Sequence, residues 1–303
     1  MADQGSYYVP EQSKLPLGAA LGMGTMGFGA AMWVIDGQSA TVFFVGLAIL
    51  AIVMYKWWGI VIEENMNGMV SNQLKHSYVL GMLWFIFSEV MFFAAFFGAL
   101  FYIRQFAVPW LGGEGEKGLA GELLWPEFEA TWPPMITPEQ SIMGDQAVTK
   151  GPDESMYLHG ISGIIKWLPL WNTIVLLSSS GTVHFAHIAL KENNRKRFNF
   201  WLGITVCLAF IFVILQAAEY YEAYAHLGLT LNSGVYGTTF FMLTGFHGMH
   251  VLIGGIFLLT QLFRSTGFKH FTEKEHFGFE AASWYWHFVD VVWVCLFLFV
   301  YII

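Results

Sequence analysis

Seven long apolar runs constrain this chain more than any other feature of its sequence. A bilayer core about 30 Å thick is crossed by about 20 apolar residues in a helix, and each run reaches that length. The strands of a membrane barrel would be about 10 residues long and would alternate apolar with polar positions. The sequence therefore predicts an all-α, polytopic membrane protein with transmembrane helices at residues 15–35, 40–59, 78–103, 165–189, 198–221, 236–263 and 281–303.

The composition supports a single membrane domain over residues 1–303. Charged residues make up 12% of the chain and hydrophobic residues 56%, whereas soluble domains carry roughly 25% charged residues. The sequence has no basic patch that would bind nucleic acid. Cys207 and Cys295 lie inside apolar runs, so we expect small buried side chains rather than a disulfide or a metal pair. Residues 1–15 lack the features of a signal peptide, so we expect the first run to be retained.

Lysine and arginine are distributed unevenly between the two sides of the predicted bundle. With the N-terminus in the cytoplasm, ten of these residues lie inside and four lie outside. Because cytoplasmic loops carry the excess of lysine and arginine, we expect a bacterial inner-membrane protein with a cytoplasmic N-terminus and a periplasmic C-terminus. The four outer residues are Arg104, Lys117, Lys150 and Lys166.

One long extramembrane loop is predicted, at residues 104–164, and this orientation places it in the periplasm. It holds nine of the 22 acidic residues and six of the nine prolines. We interpret it as a solvated loop that packs over the bundle, and the alternative is a docking surface for a basic partner.

The first predicted helix has a different bias, since it is rich in glycine. Gly18 and Gly22 form a small-xxx-small pair that favours tight packing against the second helix.

Glu89 is the clearest ionisable residue inside a predicted span. An acid in the hydrocarbon core is costly and needs a reason, and burial favours its neutral form or a polar partner. Three interpretations remain open for Glu89: a proton-handling group, an anchor to a neighbouring subunit, or a protonated carboxyl bonded within the bundle. Near the end of the fifth span, Glu222 is expected at the interface. Glu219 lies one turn deeper, where we expect it to pair with a histidine.

Two histidine pairs have a spacing of three residues, which places the members of each pair on one helix face. Such pairs can ligate haem or a metal, but axial haem ligands usually come from facing helices. The two pairs also lie at different depths, so polar packing is the favoured interpretation. A membrane haem protein is the alternative, using His184 with His187 and His247 with His250.

The last span carries a polar stripe made of Glu280, Ser283, His287 and Asp290. Their spacing of three and four residues puts them on one helix face, which must contact protein, water or headgroups rather than acyl chains. Bonding between helices is the favoured role, and a proton relay is the alternative. We expect His287 and Asp290 to form an ion pair or hydrogen bond. The sequence shows no catalytic residue or metal-site motif of a known kind.

Several long motifs resemble the family of cytochrome c oxidase subunit III. The resemblance covers all seven predicted spans and is strongest in the last one. The matching segments are Gly81–Phe93, Pro169–Thr173, Gln216–Ala223, Gly234–Phe241, Thr244–Val251 and His276–Trp293.

The resemblance implies seven helices, with a phospholipid-binding cleft that separates the first two from the remaining five. It implies a chain without haem or copper that packs on subunit I of a proton-pumping complex, which also holds subunit II and receives electrons from cytochrome c. The role implied is to support proton uptake and to protect the active site during turnover. Glu89 matches the family's carbodiimide-reactive carboxylate, and Glu64, Arg264 and His270 match positions associated with lipid headgroups. Seven spans favour this family over the five-helix subunit of a quinol oxidase, which remains an alternative.

Overall fold

The computed structural model describes residues 12–69, 71–158, 160–268, 270–272 and 276–303, and in these residues it contains helices and no strand. Seven helical spans in this part of the chain are long and apolar enough to cross a membrane. Lys269 and Lys274, which contribute to the predicted orientation, and residues 1–11 lie outside the described residues. The helices in chain order are α1 (Leu15–Asp36), α2 (Thr41–Met66), α3 (Asn72–Tyr102), α4 (Val108–Leu111), α5 (Leu119–Leu124), α6 (Pro138–Met143), α7 (Leu168–Lys191), α8 (Arg195–His226), α9 (Gly234–Thr266) and α10 (Phe277–Leu296).

Most spans are longer than the apolar runs that predicted them, because polar residues form the last turns. Helix α8, for example, begins at Arg195, where the side chain of Asn194 accepts a hydrogen bond of 3.1 Å from the Arg197 amide. A cap of this kind satisfies an otherwise unpaired N–H group at a helix start. Helix α10 likewise continues through a π-helical turn at Phe297–Ile302.

The predicted start of the long loop at residue 104 is wrong. Helix α3 continues through a π-helical turn, Ile103–Ala107, into α4, so the third span ends at Leu111. Arg104 directly follows the apolar run, and its guanidinium donates to the backbone carbonyl of Ile303 and lies 5.6 Å from the centre of the Trp132 ring. The helix therefore accommodates this charge through partners within the chain.

The chain divides into two compact units, Met1–Leu80 and Gly81–Ile303. In the first unit, α1 and α2 pack along each other with little side-chain volume between them. A Cβ atom added at Gly22 would lie 3.0 Å from the Leu50 amide nitrogen, and one at Gly18 would lie 2.9 Å from a Val53 methyl group. The predicted packing of the glycine-rich helix against the second helix is confirmed.

In the second unit, each of α7, α8, α9 and α10 packs against two of the others. Helix α3 joins them through its long side chains rather than by a close approach of backbones. The Phe85 ring stacks at 5.9 Å on Tyr285 of α10, and the Phe92 ring meets Phe246 of α9 edge-on at 5.0 Å. Both ring pairs lie within the range of favourable aromatic contacts.

Within the second unit, the segment between α4 and α7 packs against the ends of α8 and α9 rather than being freely solvated. The Met156 amide donates to the Tyr236 hydroxyl at 3.1 Å, and the Asp153 amide donates to the Leu227 carbonyl at 2.9 Å. The expectation of a loop that packs over the bundle is confirmed for its described residues.

Candidate functional site

Glu89 of α3 pairs with His250 of α9 inside the second unit. The His250 Nε2 atom lies 2.9 Å from Glu89 Oε2, and its Nδ1 atom lies 2.6 Å from the Phe246 carbonyl oxygen. The rings of Phe92 and Phe93 lie 5.8 and 5.0 Å from the imidazole. Glu89 therefore has the polar partner that its position in a membrane span requires.

The two hydrogen bonds of His250 fix the number of protons that the pair holds. A backbone carbonyl only accepts, so Nδ1 carries a proton and donates it to Phe246. The remaining bond then needs one proton between Nε2 and the Glu89 carboxyl, either as imidazole with a carboxylic acid or as imidazolium with a carboxylate. The Glu89 side chain is 22% exposed, against 7% for His250. The pair thus holds one shared proton between a buried imidazole and a carboxyl group that is partly exposed at the surface of the unit.

The polar stripe of α10 faces protein, as the sequence predicts. His287 Nδ1 and Ser180 Oγ of α7 share a hydrogen bond of 2.7 Å, and Glu280 lies near His187 of the same helix. Ser283 and Asp290 are buried. His287 Nδ1 lies 3.8 Å from Asp290 Oδ2, so the expected pair is present at ion-pair distance but does not form a hydrogen bond. The hydrogen bond at His287 Nδ1 is made with Ser180.

The prediction that Glu219 pairs with a histidine is wrong. This carboxyl group is fully buried, and it accepts hydrogen bonds from the Tyr301 hydroxyl at 2.5 Å and from the Asn172 amide at 3.1 Å. Both partners are distant in sequence, so the spacing around Glu219 gave no signal of them. Asn172 lies in the Pro169–Thr173 motif, and Tyr301 lies near the end of the last span.

The four histidines of the two i,i+3 pairs have separate surroundings. His184 is exposed, while His187 lies near Glu280. In the second pair His247 Nε2 lies 3.1 Å from the Val289 carbonyl oxygen, and His250 pairs with Glu89. These contacts are those expected of polar packing, the favoured interpretation, and they do not favour a haem held by the two pairs.

The sequence of the chain matches that of a known family along almost all of its length. The sequence model described as cytochrome c oxidase subunit III matches residues 5–114 and 158–303. The cytochrome c oxidase subunit 3 of Oryctolagus cuniculus is 39% identical over 298 residues, which cover 98% of this chain and 96% of the relative. That of Bos taurus is 38% identical over 297 residues, with the same shares covered. The chain belongs to the cytochrome c oxidase subunit III family.

As a member of this family, the chain is a multi-pass membrane protein and part of an oxidoreductase complex. The segment 115–157 falls between the two ranges that the subunit III model matches, and it carries most of the acidic loop. A cavity of about 620 Å³ in this segment is lined by Glu127, Glu129 and Asp145, among others. This segment is the part of the chain in which the family gives least guidance.

Two of the positions that the resemblance predicts to contact lipid headgroups, Arg264 and His270, lie together at the end of α9. The guanidinium of Arg264 donates to the Gln261 amide oxygen at 3.1 Å and lies 4.7 Å from the centre of the Phe271 ring. The His270 amide donates to the Arg264 carbonyl at 3.2 Å. Burial, and then the charge of Arg264, lower the pKa of the His270 imidazole. The buried Arg264 Nε and His270 Nδ1 atoms have no hydrogen-bond partner in the described part of the chain.

Glu64, the third of these positions, belongs to α2 in the first unit and is partly exposed. One of the two cysteines differs from expectation. Cys207 is exposed and Cys295 is half-buried, so the expectation of buried side chains is wrong for Cys207. An apolar run does not reveal which face of a membrane helix turns outward, because both the lipid-facing and the protein-facing sides are apolar.

Proposed function

We propose that this chain is the non-redox subunit III of a proton-pumping oxidase that carries electrons from cytochrome c to oxygen. In this proposal it packs on subunit I in a complex that also holds subunit II, and the partner subunits carry the haem and copper. It binds structural phospholipids, supports proton uptake and protects the active site during turnover. The observation that carries the proposal is the single proton shared by Glu89 and His250. The Glu89 side chain, the more exposed of the two, lies partly open at the side of the bundle.

The exposure of α3 supports a role as a covered surface. In the most apolar stretch of the third span 6% of the residues are buried, against 56% in the seventh span. Such a helix needs lipid or protein along most of its length. Subunit I and phospholipids are the cover that we propose, and Glu89 projects from this helix. A proton held there would lie at the boundary between the chain and its cover.

A lipid site at Arg264 follows from charge and unpaired polar atoms. A buried polar atom without a partner costs free energy, and a phosphate oxygen would satisfy the Arg264 Nε–H. The apolar ring of Phe271 lies beside the guanidinium. We propose that a phospholipid headgroup binds there. We also retain the prediction of a lipid-binding cleft between the first two helices and the other five. In this prediction Glu64 contacts the lipid.

The decisive experiment compares complexes purified through a tag on this chain, carrying the natural sequence, Glu89→Gln or Glu222→Gln. Glu222 is an exposed carboxylate near the end of α8 and serves as the matched control. With cytochrome c as donor, we expect Glu89→Gln to slow proton uptake severalfold and to shorten the working life of the enzyme. Haem content per complex should be unchanged, and Glu222→Gln should behave as the natural chain.

Three outcomes would contradict the proposal. One is a tagged chain that purifies without the haem and copper subunits. Another is loss of haem in proportion to loss of this chain. A third is an enzyme that accepts electrons from quinol but not from cytochrome c, which would favour the quinol oxidase alternative. The proposed orientation in a bacterial inner membrane is tested by reporter fusions to both termini.

A further inference from the structure

A buried cluster of four polar side chains joins α7, α8 and the π-helical turn after α10. It consists of Asn172, Gln216, Glu219 and Tyr301, and we name it the Glu219 cluster. Each of these residues is at most 5% exposed. Glu219 bonds to Tyr301 and Asn172, and the Asn172 Nδ2 atom also lies 3.4 Å from Gln216 Oε1. The Glu219 cluster takes no part in the Glu89–His250 pair or in the proposed lipid site.

The surroundings of Glu219 require a neutral carboxylic acid. A buried carboxylate is very costly unless a positive group compensates its charge. In the part of the chain that the structure describes, the titratable groups that act on Glu219 are all acids or phenols: Glu222, Tyr220, Tyr236 and Tyr301. The carboxyl group therefore keeps its proton. Because Tyr301 and Asn172 both donate to this group, its own O–H needs a further acceptor.

Two amide atoms beside this carboxyl group are also unpaired. Asn172 Oδ1 and Gln216 Nε2 are buried and have no hydrogen-bond partner among the described residues. Rotating both amides by 180° would keep their contact and would still leave one donor and one acceptor unpaired. The Glu219 cluster therefore needs a small molecule that both donates and accepts. Water does both, and a buried water typically makes about three hydrogen bonds to groups of this kind.

A cavity of about 150 Å³ lies beside the Glu219 cluster, at the start of α7. Its lining includes Pro169, which precedes Asn172 by three residues, and three residues of helix span about 4.5 Å. Trp167 also lines the cavity, and its ring lies 6.1 Å from that of Tyr301. The exposed Lys166 at the same cavity gives it contact with water. A short chain of water molecules is enough to connect the cavity with the cluster.

We propose that the Glu219 cluster is a proton-exchange site that binds internal water. The water lies between Asn172 Oδ1, Gln216 Nε2 and the carboxyl group of Glu219. The carboxyl proton passes along this water into the cavity, and a proton from solution returns by the same route, so no net charge crosses the chain. In the orientation proposed above, that solution is the periplasm. The inference is independent of the proposed function, because it uses only contacts within this chain.

Infrared spectroscopy of the purified complex that contains this chain tests the proposal. The C=O stretch of a neutral carboxylic acid is separate from that of a carboxylate, and it shifts when deuterium replaces the proton. We expect one acid band of the natural chain to be absent in Glu219→Gln and to shift in D₂O. Glu129→Gln, which replaces an exposed acid, should keep this band. In Gln216→Leu the band should remain but move, and its deuterium exchange should slow about tenfold, because one hydrogen bond to the water is lost.

Three results would overturn the proposal. One is an unchanged set of acid bands in Glu219→Gln, which would mean that Glu219 is a carboxylate. Another is a Glu219 band that does not shift in D₂O, and a third is equal exchange in Gln216→Leu and the natural chain. If Glu219→Gln fails to assemble, the comparison of Gln216→Leu with the natural chain still decides the result. If the chain purifies without haem and copper subunits, the proposed function fails, while the acid band still decides this site.

Discussion

The two units hold their helices together in different ways. In the first unit the buried residues of α1 and α2 are glycines: Gly22, Gly29 and Gly46. In the second unit buried polar side chains join the helices, as in the bond of 2.9 Å from the Trp286 indole to Ser179. Burial of apolar surface gives little attraction between helices in lipid, so close backbone packing and interhelical hydrogen bonds must supply it. The chain uses one mechanism in each unit.

The largest effect is expected from breaking the glycine packing. In Gly46→Leu, the new Cβ atom would lie 2.3 Å from the backbone nitrogen of Met26, which cannot move without shifting α1. We expect a destabilisation at or above the upper end of the about 1–3 kcal/mol that is typical of overpacking. Thermal unfolding of the purified complex, followed by the accessibility of a cysteine placed in α1, measures it.

Gly24→Leu is the control for that prediction, because a Cβ atom at Gly24 meets nothing within 4 Å. It makes the same change in size on a neighbouring turn of the hairpin. Equal destabilisation by the two substitutions would mean that close backbone approach does not hold the first unit together.

The next largest effect is expected at Glu219 in the second unit. Glu219→Ala removes the acceptor of the Tyr301 hydroxyl and the Asn172 amide, and both would be left buried. An unsatisfied buried group costs about 1–3 kcal/mol, so we expect a loss of that order or somewhat more in the free energy of unfolding. Glu222→Ala, one turn away and exposed, should change it little. If Glu219→Ala is as stable as the natural chain, the polar bonds are not what holds this unit.

The same contrast explains what the sequence could predict. Run lengths predicted seven spans, and the spacing of α10 predicted a stripe that faces protein, because both depend on residues close together in the chain. The partners of Glu89 and Glu219 could not be predicted in this way, since His250 and Tyr301 lie on other helices. The exposure of Cys207 was missed for a related reason. In a membrane span, apolar side chains face lipid as well as the core, so composition does not reveal direction.

A smaller effect is expected from a single neutral hydrogen bond in the second unit. The Trp293 indole donates to the Thr173 hydroxyl at 3.0 Å, so Thr173→Val keeps the side-chain shape and removes the acceptor. Interhelical bonds in membranes average about 0.6 kcal/mol with a maximum near 1.7, and we expect a loss in that range. Thr260→Val is the control, because the Thr260 hydroxyl donates to Ile256 of its own helix. A loss for Thr260→Val as large as for Thr173→Val would contradict the interhelical origin.

The smallest effect is expected outside the membrane, where water competes for every bond. The carboxylate of Glu139 accepts hydrogen bonds from the amides of Val148 and Thr149, at 3.1 and 3.0 Å. These two bonds hold the pKa of the Glu139 carboxyl below the ordinary value of 4.5, and the bond from the Thr149 amide has the larger effect. A group with a lowered pKa stabilises the folded form fully above its unfolded pKa, and this contribution is lost as the pH falls through the folded pKa.

We therefore expect the loop around α6 to open as the pH falls below about 4.5, the unfolded pKa. The protection factors of the Val148 and Thr149 amides, obtained from hydrogen exchange relative to the intrinsic rate at each pH, measure this opening. In Glu139→Gln the two amides should exchange faster at neutral pH and respond less to acid, whereas Glu129→Gln, an exposed acid in the same loop, should leave both unchanged. If the protection factors of these amides in the natural chain, which are corrected for the intrinsic exchange rate at each pH, do not change between pH 6 and pH 3, the Glu139 carboxylate does not hold the loop. Hydrogen bonds between side chain and backbone would then stabilise this chain only inside the membrane, where lipid excludes water.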